Sequence, residues 1–260
     1  MRTCTRKRCI PVSERVRLGI MQPYFFPHIA HFALIDHVDR WVVFDVTQYT
    51  PKTWMNRNRV LHPSEGSMYV TVPVHGGSQN KLTRDIDLHD PEAAVRSITG
   101  KLQHYRRVAP YFRQVVSLVE RAFSERSADS LVALNSAALR ATCEYLSIDV
   151  DLVICSELGL DLSGIEHAGQ WSLRIARQLG ATEYLNPVGG AALFRPAEFD
   201  AAGIRLRFLD LAPIVYDVPA PYTFIPSLSI LDVLMWNDPG VVTAYIKDQS
   251  QILQPQDVSA

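Results

Sequence analysis

Three segments near the start of the chain restrict its fold class more than any bulk property does. Val16 to Met21 reads as a buried strand, Ile29 to His37 as a helix, and Arg40-Trp-Val-Val-Phe-Asp45 as a second strand that ends in a carboxylate. The same alternation returns late in the chain. Val150 to Cys155 reads as a strand, and Glu166 to Leu179 as a helix closed by Gly180, a natural C-cap. Glu183 to Asn186 and Ile204 to Leu209 read as strands, and Leu228 to Trp236 and Gly240 to Ile246 as short helices. Strands alternating with helices predict an α/β protein with a mostly parallel, Rossmann-like sheet. Residues 16 to 45, 150 to 155, 183 to 186 and 204 to 209 should supply its strands.

The middle of the chain has a different character. Thr47 to Arg59 is polar, aromatic and basic, is interrupted by Pro51, and reads as a loop. Met68 to Val74 alternates like a strand and Ile86 to Leu88 reads as a short one. Pro91 to Arg107, Pro110 to Ser124 and Asp129 to Leu146 carry apolar residues at helical spacing, for instance Phe112, Val115, Val116, Val119 and Phe123. A helical insertion over about 91–146 is expected, inside a single domain spanning 16–247. Residues 1–15 are expected to be a flexible basic tail and 248–260 a flexible C-terminal one.

A hydrophobic content of 47% over 260 residues is ample for a large core and excludes wholesale disorder. The net charge of −1 argues against extended binding to nucleic acid or an acidic membrane. No apolar run approaches the ~20 residues of a membrane span. The basic Met1 to Cys9 is not followed by an apolar signal-peptide core. Cys4, Cys9, Cys143 and Cys155 match no zinc spacing, so no metal site is expected and a reducing cytoplasm is the expected compartment. Cys155, at a strand end, is either a small buried residue or a nucleophile awaiting a histidine from elsewhere in the fold.

Three segments are candidates for chemistry. The turn from Gln22 to His31 joins a strand end to a helix start, where prolines stiffen the backbone and free N–H groups suit an anion. Within it His28 and His31 share one helix face and are catalytic candidates, or else ordinary partly exposed histidines. Their pattern resembles the His-x-Gly-His turn of nucleotidylyltransferases, with Ala30 in the glycine's place, so a nucleotidylyltransferase-like form of the fold is one expectation. Gln22 and Tyr24 would bind substrate. Asp45, ending the neighbouring strand, is a base or a cap of the following loop. The second segment offers Lys52 as a catalytic cation and Trp54, Asn56, Arg57, Asn58 and Arg59 for binding an anionic substrate, or is a solvated basic loop. The third is Asn186-Pro-Val-Gly-Gly190, where Asn186, Gly189 and Gly190 let a ligand approach the backbone, or simply form a tight turn. All three segments are expected to line one cleft.

Met21-Gln-Pro-Tyr-Phe-Phe-Pro27, Phe32-Ala-Leu-Ile35, Gln48-Tyr49, Trp54-Met-Asn-Arg-Asn-Arg59, Asn186-Pro-Val-Gly-Gly190 and Ser227 to Met235 together resemble the WbqC-like family, from residue 16 to about 240. In that family His28-Ile-Ala-His31 is usually Tyr-Ile-Gly-Tyr, Val46 is often a second aspartate, and Cys155 is commonly Ser. The resemblance implies a setting in cell-surface polysaccharide or natural-product assembly. It implies that setting rather than a reaction; the leading expectation from the residues and the setting together is a transferase that moves an acyl, aminoacyl or nucleotidyl group onto an amino- or hydroxyl-bearing precursor, small or carrier-bound. The donor would be a nucleotide or an activated acyl compound. The alternatives are a cysteine-dependent hydrolase or acyltransferase and a non-catalytic precursor-binding module.

Overall fold

The structure is a computed structural model that describes residues 15–77 and 80–258. Arg17–Met21 (β1), Ile29–Asp36 (α1) and Arg40–Val43 (β2) form the first βαβ unit. The chain then leaves the sheet for a hairpin, Arg57–Leu61 (β3) with Ser67–Thr71 (β4), and a small pair, Val74–His75 (β5) with Asp87–Leu88 (β6). Three helices follow, Pro91–Lys101 (α2), Phe112–Ser124 (α3) and Leu131–Tyr145 (α4). The sheet resumes with Leu152–Ile154 (β7), Ala168–Gln178 (α5), Glu183–Pro187 (β8), Pro196–Ala201 (α6) and Arg205–Leu211 (β9). Ile230–Trp236 (α7), Pro239–Gln249 (α8) and Ser250–Leu253 (β10) end it.

The six-stranded sheet has the order β10-β9-β8-β1-β2-β7, parallel throughout except for β10 against β9. Ranked along the chain from the β7 edge, this is 3-2-1-4-5-6, the order of a doubly wound Rossmann-like sheet. Alternate residues serve opposite faces. Leu18, Ile20, Val42, Tyr184, Leu206 and Phe208 pack with Ile175 of α5 and Phe199 of α6. Trp41, Val43, Leu185 and Leu209 join the larger core built with α1, α7, α8 and the helical insertion. Glu183, at the start of β8, is fully buried and accepts from Arg15, Arg17 and Arg205.

The Pro-rich turn between β1 and α1 is the joint between sheet and insertion. Its carbonyls take up donors from far along the chain. Asn135 of α4 donates to Pro23 (2.6 Å) and also to Met55 (2.8 Å). Asn58 donates to Phe25 (3.1 Å) and Phe26 (2.9 Å), Ser229 donates to Phe26 (2.7 Å), and the Ile230 N–H donates to Pro27 (3.0 Å). Phe26 sits at φ +39°, in the left-handed region that bulky residues avoid, and the two donors on its carbonyl hold it there.

Several boundaries depart from the sequence reading. The segment read as a loop to Arg59 enters strand β3 at Arg57, because Arg-Asn-Arg alternates across a sheet and the inward Asn58 is buried by hydrogen bonding rather than by apolarity. Met68 to Val74 is not one strand, since Pro73 has no donor for the ladder and separates β4 from β5. The helix expected to Arg107 tightens into a 3₁₀ turn from Leu102, one residue after α2 ends. Helix α6 was not expected at all. Arg15, assigned to the basic tail, is tied to Glu183. Residues 250–253, assigned to a C-terminal tail, form the antiparallel edge strand β10. The rest of the basic N-terminal segment, with Cys4 and Cys9, lies outside the described residues.

Candidate functional site

In the strand order, β1 lies between β2 and β8, so the connections leaving β1 and β8 diverge at their carboxyl ends. A doubly wound sheet opens its ligand crevice at that point. Here it is a cleft of about 500 Å³. Gln22 and Tyr24 follow β1, Phe44 and Thr47 follow β2, and Tyr184 and Asn186 end β8. Ala168, Trp171 and Ser172 come from the first turns of α5, while Gly189, Gly190, Leu193 and Phe194 come from the 3₁₀ turn after β8 and the residue that closes it.

The cleft's polar groups are ordered by short chains of hydrogen bonds. Ser172 Oγ donates to Tyr184 Oη (3.0 Å), Tyr184 Oη donates to Asn186 Oδ1 (2.9 Å), and Asn186 Nδ2 donates to the Pro187 carbonyl (2.9 Å). On the other wall Tyr24 Oη donates to Gln22 Oε1 (3.2 Å), whose Nε2 donates to Thr47 Oγ1 (3.3 Å). Burial raises both phenols above their ordinary value, so they are neutral hydrogen-bonding groups. Phe44 and Trp171 meet edge to face at 5.6 Å. Two glycines permit the close packing of these walls. A Cβ on Gly190 would lie 2.3 Å from Asn186 Nδ2, and one on Gly169 would lie 2.3 Å from the Leu193 carbonyl oxygen. Among the described residues, no Lys, Arg, His, Asp or Glu lines the cleft.

Five sequence-predicted residues therefore meet here: Gln22, Tyr24, Asn186, Gly189 and Gly190. The remaining candidates do not line the cleft, so the expected convergence of all three segments divides in two. His28 Nδ1 accepts from the Ala30 N–H (3.3 Å) and its carbonyl from the His31 N–H (2.9 Å). The start of α1 is thus capped by its own residues rather than open to an anion. His31 is buried between Tyr24 and Trp41, at ring distances of 5.2 and 5.8 Å. Burial, then the neighbouring His28, push its imidazole down to about 3, so it stays neutral. Spacing placed both histidines on one face; the fold turned that face inward. Asp45 is buried and accepts from the Ser156 N–H (3.0 Å) and hydroxyl (2.6 Å), clamping the end of β2 to the turn after β7. Lys52 is exposed at φ +60°, and its carbonyl accepts from Arg57 Nη2 (2.6 Å). Asn56 donates to the Val72 carbonyl (3.0 Å), while Trp54 from the turn before β3 and Arg57 and Arg59 of β3 form a surface of their own with Tyr69 of β4.

Cys155 is 2% exposed, and burial, then the carboxylate of Asp45, push its thiol up to about 12. A thiol in that state forms almost no thiolate at neutral pH. Iodoacetamide should leave the Cys155 peptide unmodified in the folded protein and alkylate it after denaturation. Rapid labelling of that peptide under native conditions, read by mass spectrometry, would restore the cysteine-dependent reading. Among the described residues no three His, Cys, Asp or Glu side chains are placed to hold a metal ion, and no helix is long and apolar enough to cross a membrane.

Phe44, Thr47, Trp171, Ser172, Tyr184 and Phe194 escaped the sequence reading. Most look like ordinary core residues until the strand order is known. A signal existed for Phe44 and Trp171, since residues just past a strand's carboxyl end and in the first turns of the helix facing it are where such sheets bind ligands.

The WbqC-like protein family matches residues 22–243, a span that includes most of the cleft and both strands of the β3–β4 hairpin. A relative from Mycobacterium tuberculosis (strain ATCC 25618 / H37Rv), "Uncharacterized protein Rv1507c", is 28% identical over 224 residues, which is 84% of this chain and 92% of the relative. No solved structure matches significantly. With a match that runs from the turn after β1 into α8, the chain belongs to the WbqC-like protein family.

Proposed function

We infer that the protein is a biosynthetic group transferase of glycan or natural-product assembly. Its cleft would hold the uncharged part of an activated donor, a nucleobase or an acyl group, while an amino- or hydroxyl-bearing precursor approaches from solvent. The observation that carries this reading is the cleft's chemistry: aromatic walls, two oriented amides in Gln22 and Asn186, and no ionised side chain among the described residues. Such a site favours a flat or apolar group with a few hydrogen-bonding edges over a charged one. The first turn of α5, at the cleft's edge, adds a partial positive charge without a full cation. With no general base among the described residues of its walls, the cleft would accelerate transfer by holding the reacting groups together.

The missing base also favours the second reading, a non-catalytic module that escorts a precursor to another enzyme. Melting curves against nucleotides, nucleotide-sugars and acyl-CoAs test both readings. A ligand at a hundred times its Kd stabilises by about 2.7 kcal/mol, enough for a clear shift. Trp171→Ala should clearly reduce that shift, with affinity falling by roughly 1–3 kcal/mol through loss of the aromatic wall. Turnover of the shifting ligand with an amine or alcohol acceptor supports the transferase, and a shift without turnover supports the binding module. If no compound of these classes shifts the wild type, or Trp171→Ala responds like wild type, the cleft is not the donor site.

A further inference from the structure

The outer face of β3 and β4 carries two arginines that the fold itself does not neutralise. Arg57 pairs across the hairpin with Thr71 and Arg59 with Tyr69, so both leave the same face while Asn58 points inward. The Arg57 guanidinium lies 4.2 Å from the centre of the Tyr69 ring, and that of Arg59 lies 5.6 Å from the Trp54 ring. Trp54 and Tyr69 stack at 6.5 Å, and each is 40% exposed.

Stacking on an aromatic ring holds a guanidinium flat and leaves its in-plane N–H groups unused. Arg57 spends one of them on the Lys52 carbonyl. The Arg59 guanidinium donates to no acceptor among the described residues, and neither arginine pairs with a carboxylate there. Both Nε atoms are buried without a partner, the only arginine Nε atoms so placed among the described residues. A buried donor left unpaired is costly, which a merely solvated basic loop would avoid. The ammonium of Lys101 at Tyr69's carbonyl (2.8 Å) adds positive charge to this edge and brings no acid with it.

Two planar forks carried on alternate residues of one strand, whose Cα atoms stand about 7 Å apart, can each take one phosphate of a diphosphate, whereas a single carboxylate would occupy only one. We propose that this face is a binding site for a diphosphate-bearing ligand, with Arg57 and Arg59 taking the phosphates and the exposed aromatic edge at Trp54 receiving the ring attached to them. The site is separate from the cleft, whose lining includes none of these residues.

Isothermal titration of the full chain with inorganic pyrophosphate and with ADP, at low and high salt, tests the proposal. Pyrophosphate should bind the wild type, and more weakly as salt rises, because screening acts on the contact between charges. Arg59→Ala should lower that affinity at least tenfold, or about 1.4 kcal/mol, with little change in melting temperature. Arg59→Lys should do nearly the same, since an ammonium lacks the fork. In the Trp171→Ala background, ADP should bind more tightly than pyrophosphate, and adding Trp54→Ala should remove the difference. Trp171→Ala should leave pyrophosphate affinity unchanged, which separates this face from the cleft. The proposal is overturned if pyrophosphate does not bind at low salt, or if Arg59→Ala binds it as wild type does. It is equally overturned if Arg59→Ala loses its fold while Arg59→Lys binds pyrophosphate normally, because the arginine is then a brace.

Discussion

Asp232→Ala is expected to cost about 3–5 kcal/mol of stability, because three buried donors lose their acceptor at about 1–3 kcal/mol each. Asp232 lies in the first turn of α7 and is fully buried. Its Oδ1 accepts from the Leu61 N–H (2.9 Å) and the Tyr105 hydroxyl, and its Oδ2 accepts from the Tyr216 hydroxyl (2.7 Å). No cation is among these donors, and burial raises the carboxyl above its ordinary 3.8 despite them. The loss would take a large share of a typical domain's stability, about 5–15 kcal/mol. Asp232→Asn keeps the volume and an acceptor oxygen, and should cost clearly less. The sign of its pH dependence follows from the raised value. The carboxyl's titration contributes stability in full below its unfolded value, and this is lost as pH rises through the folded one. The cost of Asp232→Asn should therefore shrink as pH rises. Urea unfolding across that range measures it, and an alanine variant within about 1 kcal/mol of wild type would show that the cluster carries little of the fold's stability.

Glu183→Gln should cost about 2–3 kcal/mol near neutrality, with the opposite pH trend. The carboxylate is buried at the amino end of β8, far from the cleft in the direction of the strand, and bonds Arg15, Arg17 and Arg205. Removing one member of a buried pair can cost about 3–5 kcal/mol. Here Arg15 and Arg205 are 53% and 51% exposed and can turn to water, while Arg17, at 17%, cannot easily do so. Burial works to raise the Glu183 carboxyl, but hydrogen bonds from Arg15 and Arg17, with their charges, outweigh it and hold the carboxyl below its ordinary 4.5. Its stabilisation is present above that unfolded value and is lost as pH falls through the folded one. The penalty of Glu183→Gln should thus fade toward acid pH, where that of Asp232→Asn is largest. A Glu183→Gln penalty that grows on acidification would contradict the arrangement of charges at β8.

The parallel strands of the main sheet were legible because their apolar and β-branched runs are local signals that burial on both faces demands. Strand β3 was not, because Asn58 earns its buried place through two carbonyls of the β1–α1 turn, more than thirty residues away. Similarly, Pro23 to Pro27 looked like a ligand turn for its prolines and aromatics, yet its carbonyls are taken by Asn135, Asn58, Ser229 and Ile230. Gln22, Tyr24, Asn186, Gly189 and Gly190 were found because strand ends carry a recognisable chemistry. Phe44, Trp171 and Phe194 needed the strand order before an apolar residue could be placed on a cleft wall.

The sequence by itself determined most of the succession of strands and helices, the parallel sense of the main sheet's first five strands in chain order and the chemistry available at their ends. Those properties follow from residue type and spacing over a few turns of chain. Only the tertiary structure decided that β8 lies beside β1, so that the turns after Met21 and Asn186 share one cleft while Arg57 and Arg59 face solvent elsewhere. It also decided which polar groups are spent inside the fold, as Asp45 is on Ser156, and which are left over, as the Nε atoms of Arg57 and Arg59 are. A hydrogen-bond partner can lie a hundred residues away, and its presence is a property of the packed chain rather than of any segment.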